Sequence, residues 1–226
     1  MDKIVQFLLP NVSQVLDEFY LSIVQTLQMI LLSGGISFVL SLFIGIVLVS
    51  TKKDGILENT FVFNVFDKLI NLFRSIPFII LIAALIPVTR LISGTAVGVQ
   101  GTIFPLIVGI TPFFSRQIES ALSEVDEGLI ESGIAMGLSP VQIIFSIYLK
   151  EGISSIARVT TITIISLVGL TAIVGVVGGG GIGDFAIRYG YQQNQLDATY
   201  VSIIVLLIIV SIIQIIGTLI AKKTSH

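Results

Sequence analysis

An all-α, polytopic membrane protein with five transmembrane helices is the fold class that three features of the sequence predict. The first is composition: the 226 residues are 54% hydrophobic and 12% charged, with a mean hydropathy of +1.03, far outside the range of soluble domains. The second is the recurrence of long apolar runs near the roughly 20 residues that a helix needs to cross a bilayer core. The third is that the charges fall almost wholly between those runs. No linker-like stretch divides the chain, so residues 1–226 read as a single transmembrane domain.

Taken in order, the N-terminal residues carry one Lys and a broken apolar run ending at Pro10, with no small-residue cleavage site. They do not read as a cleaved signal, and the first long span is expected to be retained. Leu21 to Ser50 is free of charge and long enough to tilt or protrude. The following Asp54 to Arg74 contains FVFNVFDKLINLF, which is amphipathic. It suits an interfacial helix or an extension of the second span, and the extension is the preferred reading.

The second span runs from about Ile76 to Leu91 and the third from about Ala96 to Ser115, with the fourth from about Val159 to Val177 and the fifth from about Tyr200 to Ala221. Pro77 and Pro87 in the second, and Pro105 and Pro112 in the third, are expected to bend those helices. A membrane tolerates such bends where neighbouring helices or a cavity satisfy the freed backbone groups. They suit a transport path and simple packing equally.

Five crossings place the termini on opposite sides. With the N-terminus outside, the inner segments hold Lys52, Lys53, Lys68, Arg74, Arg116, Lys150, Arg158, Lys222 and Lys223, against Lys3, Arg90 and Arg188 outside. Positive charge therefore favours N-out, C-in, as a multi-pass protein of the cell membrane.

The longest inner segment, about 116–158, contains ESGIAMGLSPVQIIFSIYLK from Glu131 to Lys150, a polar and amphipathic island between apolar spans. Two half-helices meet there at Gly137. Ser139 is placed as an N-cap, Pro140 at the first helical position and Gln142 as the capping-box partner. A helix–Gly–helix elbow facing water is suited to docking, whereas on a soluble basic protein it would suggest a DNA-reading helix-turn-helix. The net charge of −2 and the absence of a basic tract remove nucleic acid as a partner.

Other chemistries are excluded by residue type. There is no Cys, and the one His is the terminal His226, so thiol catalysis, Cys-ligated metals and a His relay lack their side chains. No G-x-x-x-x-G-K-[ST] phosphate loop is present. Gly178, Gly180 and Gly183 formally match G-x-G-x-x-G, but they follow a membrane span instead of a strand, so a tight external turn with positive φ is expected. Gln25, Gln28 and Gln214 are read as helix–helix hydrogen-bonding groups. The hydroxyls of Thr161, Thr163, Ser166 and Thr171 suit either a polar path or helix–helix hydrogen bonds.

The inner island resembles the cytoplasmic loop signature of ABC-importer permeases, E-A-A, three residues, G, nine residues, I-x-L-P. Glu131, Gly137, Ile147 and Leu149 fall in register, while Ser132 and Gly133 stand for the alanines and Lys150 for the terminal proline. NLFRSIPFIIL (71–81), AMGLSPVQI, ITIISLVG and the stretch from GGGGIG to YGY are similar to the permeases of methionine importers.

The resemblance implies a type I ABC-importer permease domain over the whole chain. It implies a homodimer on two ATP-binding subunits, which carry ATP and Mg, with no cofactor on this chain, and a periplasmic or extracellular methionine-binding lipoprotein that delivers D- or L-methionine. Coupling to the ATPase would fall on Glu131, Ser132, Gly133, Ala135, Met136, Gly137, Leu138, Pro140, Ile147 and Leu149. The family's gate position would fall at Ile173, with Thr171 and Ser166 beside the path. A self-contained facilitator, or an anchoring subunit without a path, are the competing readings. The first requires flux without nucleotide.

Overall fold

The computed structural model describes residues 9–224. Lys3 and His226, used above for charge and for residue type, lie outside the described residues. Every regular element among the described residues is helical. A 3-10 turn, Val12–Gln14, precedes α1 (Leu16–Thr51), whose first turn carries Asp17 and Glu18, the sign that the helix dipole favours there. Next come α2 (Thr60–Ser75), α3 (Phe78–Ser93) and α4 (Gly98–Ser123). Then follow α5 (Glu127–Ala135) and α6 (Pro140–Ile143), the latter continued by a π turn (Ile144–Tyr148) and a short turn (Leu149–Glu151). The chain ends with α7 (Ile153–Val176), α8 (Gly181–Phe185), a π turn (Ala186–Gln192) and α9 (Leu196–Thr224).

Four of these, α1, α4, α7 and α9, are each long and apolar enough to cross a membrane, and the bent pair of α2 and α3 makes a fifth if the two count as one span. At about 1.5 Å per residue, the 36 residues of α1 extend about 54 Å, well beyond a hydrocarbon core of about 30 Å. The preferred reading of Asp54 to Arg74 as an extension of the second span meets a sharp turn at Pro77, one of the prolines expected to bend that span. The α2 and α3 helices are bent by 108° at their break.

The cause is local. Pro77 restricts the residue before it, and Ile76 takes an extended conformation (φ −85°, ψ 123°) that ends α2. Asn59 caps the other end of α2 by accepting from Val62 N at 3.1 Å. Pro87 lies inside α3, and α4 runs unbroken through Pro105 and Pro112. Gly94, in the left-handed region (φ 72°), closes α3 as a C-terminal cap.

The chain divides into two compact units. One comprises the residues up to Gly35, Pro77–Val108 and Ile164–Ile212. Its core gathers Val12, Phe19, Phe185, Tyr189 and Ala198. The Tyr189 hydroxyl donates to Glu18 at 2.7 Å, and Arg188 pairs with Glu18 at 3.0 Å and Asp184 at 3.3 Å. Asp197 accepts from Asn11 N at 2.8 Å, Asn11 Nδ2 at 2.9 Å and Val12 N at 3.2 Å, fastening the N-terminal turn to α9.

The glycine turn is as expected: Gly178, Gly180 and Gly181 all have φ near +80°. Where the turn enters α8, Gln25 Oε1 accepts from Gly181 N and Thr26 Oγ1 from Ile182 N, both at 2.8 Å. Side chains of α1 thus satisfy the first N–H groups of another helix, which would otherwise be orphans. Gln25 is confirmed as an inter-helix hydrogen-bonding group.

The other unit comprises Ile36–Ile76, Gly109–Thr163 and the residues from Ile213 onward. Val49, Phe114, Ile118, Leu122, Ile143 and Tyr148 form its core. Arg116 pairs with Asp67 of α2 and with Glu119 of its own helix, the latter at 2.6 Å. Gly217 admits Thr161 so closely that a Cβ there would overlap its side chain.

Replacing Gln25 with Ala leaves the Gly181 N–H without its acceptor, at a cost of about 1–3 kcal/mol. Gln25→Ala is therefore expected to lower the unfolding midpoint of the detergent-purified protein. The control Gln28→Ala, on an exposed position of the same helix, should stay within about 0.5 kcal/mol.

Candidate functional site

The elbow is built by local rules. Asp126 caps α5 by accepting from Gly128 N at 2.7 Å. At the far end, Gly137 has φ +80°. Gly137 N donates to Ile134 O at 2.9 Å and Leu138 N to Gly133 O at 3.1 Å. These are the paired bonds of a Schellman termination, in which a left-handed glycine satisfies the last carbonyls. Ser139 then opens α6 with a reciprocal capping box: Ser139 N donates to Gln142 Oε1 at 2.8 Å, and Gln142 N to Ser139 Oγ at 3.4 Å. Pro140 occupies the first turn. The sequence reading of two half-helices broken at Gly137 and restarted at Ser139 therefore holds in detail.

The two glycines of the motif have different causes. A Cβ at Gly137 would meet nothing within 4 Å, so this glycine answers to backbone conformation alone. At buried Gly133, a Cβ would lie 2.7 Å from Ile147 Cδ1 and 3.4 Å from Leu138 Cδ1. Gly133 is where the second half-helix closes on the first, and Ile147 is the residue that fills it. Ser132 is exposed, so of the two small residues only Gly133 packs closely.

Ile143 and Tyr148, both buried, root the second half-helix in the core with Val49, Phe114 and Leu122. Leu138, Pro140, Ile147 and Leu149 are half-buried, while Glu131, Ala135 and Met136 face outward.

The outward face is strongly apolar. Met136 is 73% exposed and Phe145 67% exposed, with Ile134 and Val141 also uncovered. The sequence reading missed Ile134, Val141 and Phe145. Their signal was available, since large apolar side chains in a segment between spans, with Val141 and Phe145 four apart on one helical face, have no membrane to enter. Below α5 lies a cavity of about 190 Å³ whose lining includes Lys52, Asp54, Glu127, Glu131, Ile134 and Tyr148. Three carboxylates against one ammonium make it acidic, and burial, with Glu127 nearby, pushes the Tyr148 phenol above its usual value.

The residues assigned to a path separate. Ser166, Gly169, Ile173 and Val176, spaced three and four apart, are all exposed along one face of α7. Thr171 is buried on another side and donates its hydroxyl to Val168 O at 2.7 Å. Thr161 and Thr163 likewise donate to Ala157 O and Val159 O, each at 2.8 Å. These three threonine hydroxyls donate within their own helix. The structure brings Ile173 and Ser166 to one face and leaves Thr171 off it.

Over residues 37–226 the sequence matches the family described as binding-protein-dependent transport system inner membrane components. It is 43% identical over 202 residues to the probable D-methionine transport system permease protein MetI of Vibrio cholerae, covering 89% of this chain and 90% of that protein. To the methionine import system permease protein MetP of Bacillus subtilis it is 41% identical over 172 residues, covering 76% and 78% of the two chains. Among solved structures, a chain of the MetNI methionine ABC transporter in an inward-facing conformation is similar, with a TM-score of 0.90 and 36% identity over 100% of both chains.

The two glycines predict outcomes of different size. Gly137→Ala introduces left-handed strain of about 1–2 kcal/mol without a clash, whereas Gly133→Leu forces Ile147 away and overpacks the hairpin at about 1–3 kcal/mol or more. Hydrogen exchange across residues 127–151 should therefore accelerate far more in Gly133→Leu than in Gly137→Ala.

Proposed function

We infer, since the chain belongs to the family of binding-protein-dependent transport system inner membrane components, that two copies of it form the membrane path of an ABC importer for methionine. Support for the substrate comes from relatives described as methionine permeases. The chain itself catalyses nothing in this reading. ATP and Mg bind two ATP-binding subunits that dock on the elbows, and a methionine-binding lipoprotein delivers substrate from outside. The charge distribution supports N-out, C-in, which puts the elbow on the ATPase side.

The single observation that carries the docking role is the exposed apolar face of the elbow. Met136, Val141 and Phe145 stand uncovered on a segment that no bilayer covers in this orientation, and a surface of that kind asks for a protein partner. Its construction suits force transmission. The capping box and the Gly133–Ile147 closure make the hairpin one body, and Ile143 and Tyr148 root that body among Val49, Phe114 and Leu122.

When nucleotide draws the ATPases together, the elbows move with them. The packed core around them follows, because well-packed interiors transmit displacement instead of absorbing it. Opening of the path toward the lipoprotein is then a population shift driven by the closed ATPase dimer, and hydrolysis resets it. Ile173, exposed on the same face of α7 as Ser166, supplies the bulk and apolarity of a dewetting constriction.

Proteoliposomes containing this chain, its ATP-binding subunit and its binding protein should take up methionine only when all three and internal ATP are present. Uptake by this chain alone would instead establish a facilitator. Gly137→Leu should insert normally yet lose most of the ATP hydrolysis stimulated by loaded binding protein, since a bulky side chain at the exposed junction holds the ATPase off. Unchanged stimulation would remove the elbow from coupling.

A further inference from the structure

The helix α2 has three faces where a docked surface helix has two. Ile70, buried at 4% exposure, and the half-buried Phe63 and Phe66 turn toward the protein, and Asp67 beside them is held by Arg116 of α4. A second arc is apolar and uncovered: Phe61, Val65, Leu69, Leu72 and Phe73. The third, with Thr60, Asn64, Lys68, Asn71 and Ser75, is polar and exposed. At 3.6 residues per turn these arcs follow one another around the helix, with half-buried Val62 inside the apolar strip and exposed Arg74 at the edge of the protein-facing arc, and the strip runs from Phe61 to Phe73.

We propose that α2 lies in the plane of the bilayer at the boundary between headgroups and acyl chains, with the Phe61–Val65–Leu69–Leu72 strip immersed in lipid. Two observations point to lipid as the occupant. The bend of 108° to α3 turns α2 out of the line of that helix. Lys68 stands at the border of the apolar and polar arcs, where its stem covers apolar surface and its ammonium reaches phosphate level. The Asp67–Arg116–Glu119 cluster pins the helix to α4, so this unit of the permease carries its own anchor in one leaflet.

The absence of cysteine from the chain makes the test clean. Val65→Cys, Leu69→Cys and Leu72→Cys, with Asn64→Cys and Asn71→Cys as polar-face controls, each give one nitroxide site in the full chain. Each is assembled with a cysteine-free ATP-binding subunit in phosphatidylcholine/phosphatidylglycerol liposomes, and collision rates with oxygen and with a water-soluble nickel chelate are measured by electron paramagnetic resonance. Oxygen should dominate several-fold at 65, 69 and 72 and nickel at 64 and 71. Nickel dominance at 65, 69 and 72 would place the strip in water, and low collision rates with both reagents would place it under protein; either overturns the proposal. Three sites on the strip keep the test decisive if one variant fails to assemble.

Discussion

Backbone N–H and C=O groups inside hydrocarbon have no water to pair with, and each one left alone costs several kcal/mol. That constraint dictates long helices, and backbone buried between helices falls under the same rule. At the Gly178–Gly181 turn the backbone leaves the helical path and re-enters as α8, which exposes new N–H groups. Gln25 and Thr26 of α1 supply their acceptors at 2.8 Å. The same accounting applies to α7, where Thr161, Thr163 and Thr171 hydroxyls turn back to carbonyls of their own helix.

On the water side the logic reverses. There the backbone can be solvated, so irregularity is permitted, and the elbow exploits it with a left-handed Gly137 and a capped restart at Ser139. What must be explained on this side is exposed apolar surface. Met136 and Phe145 are uncovered, while Ile143 between them in sequence and Tyr148 just beyond are buried. The elbow therefore has a buried face and an exposed apolar face, and stiff packing connects the two. The acidic cavity beneath α5 lies on the same structure, bounded by Glu127 and Glu131.

Charge is used sparingly and at the margins. Arg116 ties α2 to α4 through Asp67, and Arg188 with Tyr189 gathers at Glu18. Such half-exposed pairs contribute little each to stability; their role is orientation. They fix helices whose apolar faces, all equally compatible with lipid, would not choose a rotational setting by hydrophobicity alone.

Much of this was legible in the sequence. Apolar run length gave the spans, because bilayer thickness sets it, and Gly137, Ser139, Pro140 and Gln142 gave the elbow, because capping is local chemistry within four residues. The motif residues gave the family. Pro77 was legible as a bend, although a hydropathy pattern did not show that the bend turns α2 away from the span. Two matters were decided only by the tertiary structure. The separate roles of Gly133 and Gly137 depended on Ile147, fourteen residues beyond Gly133, coming to rest against one glycine and not the other. The side of α7 on which Thr171 falls depended on the helix's rotation, which packing sets and which a helix apolar all round does not record in its sequence.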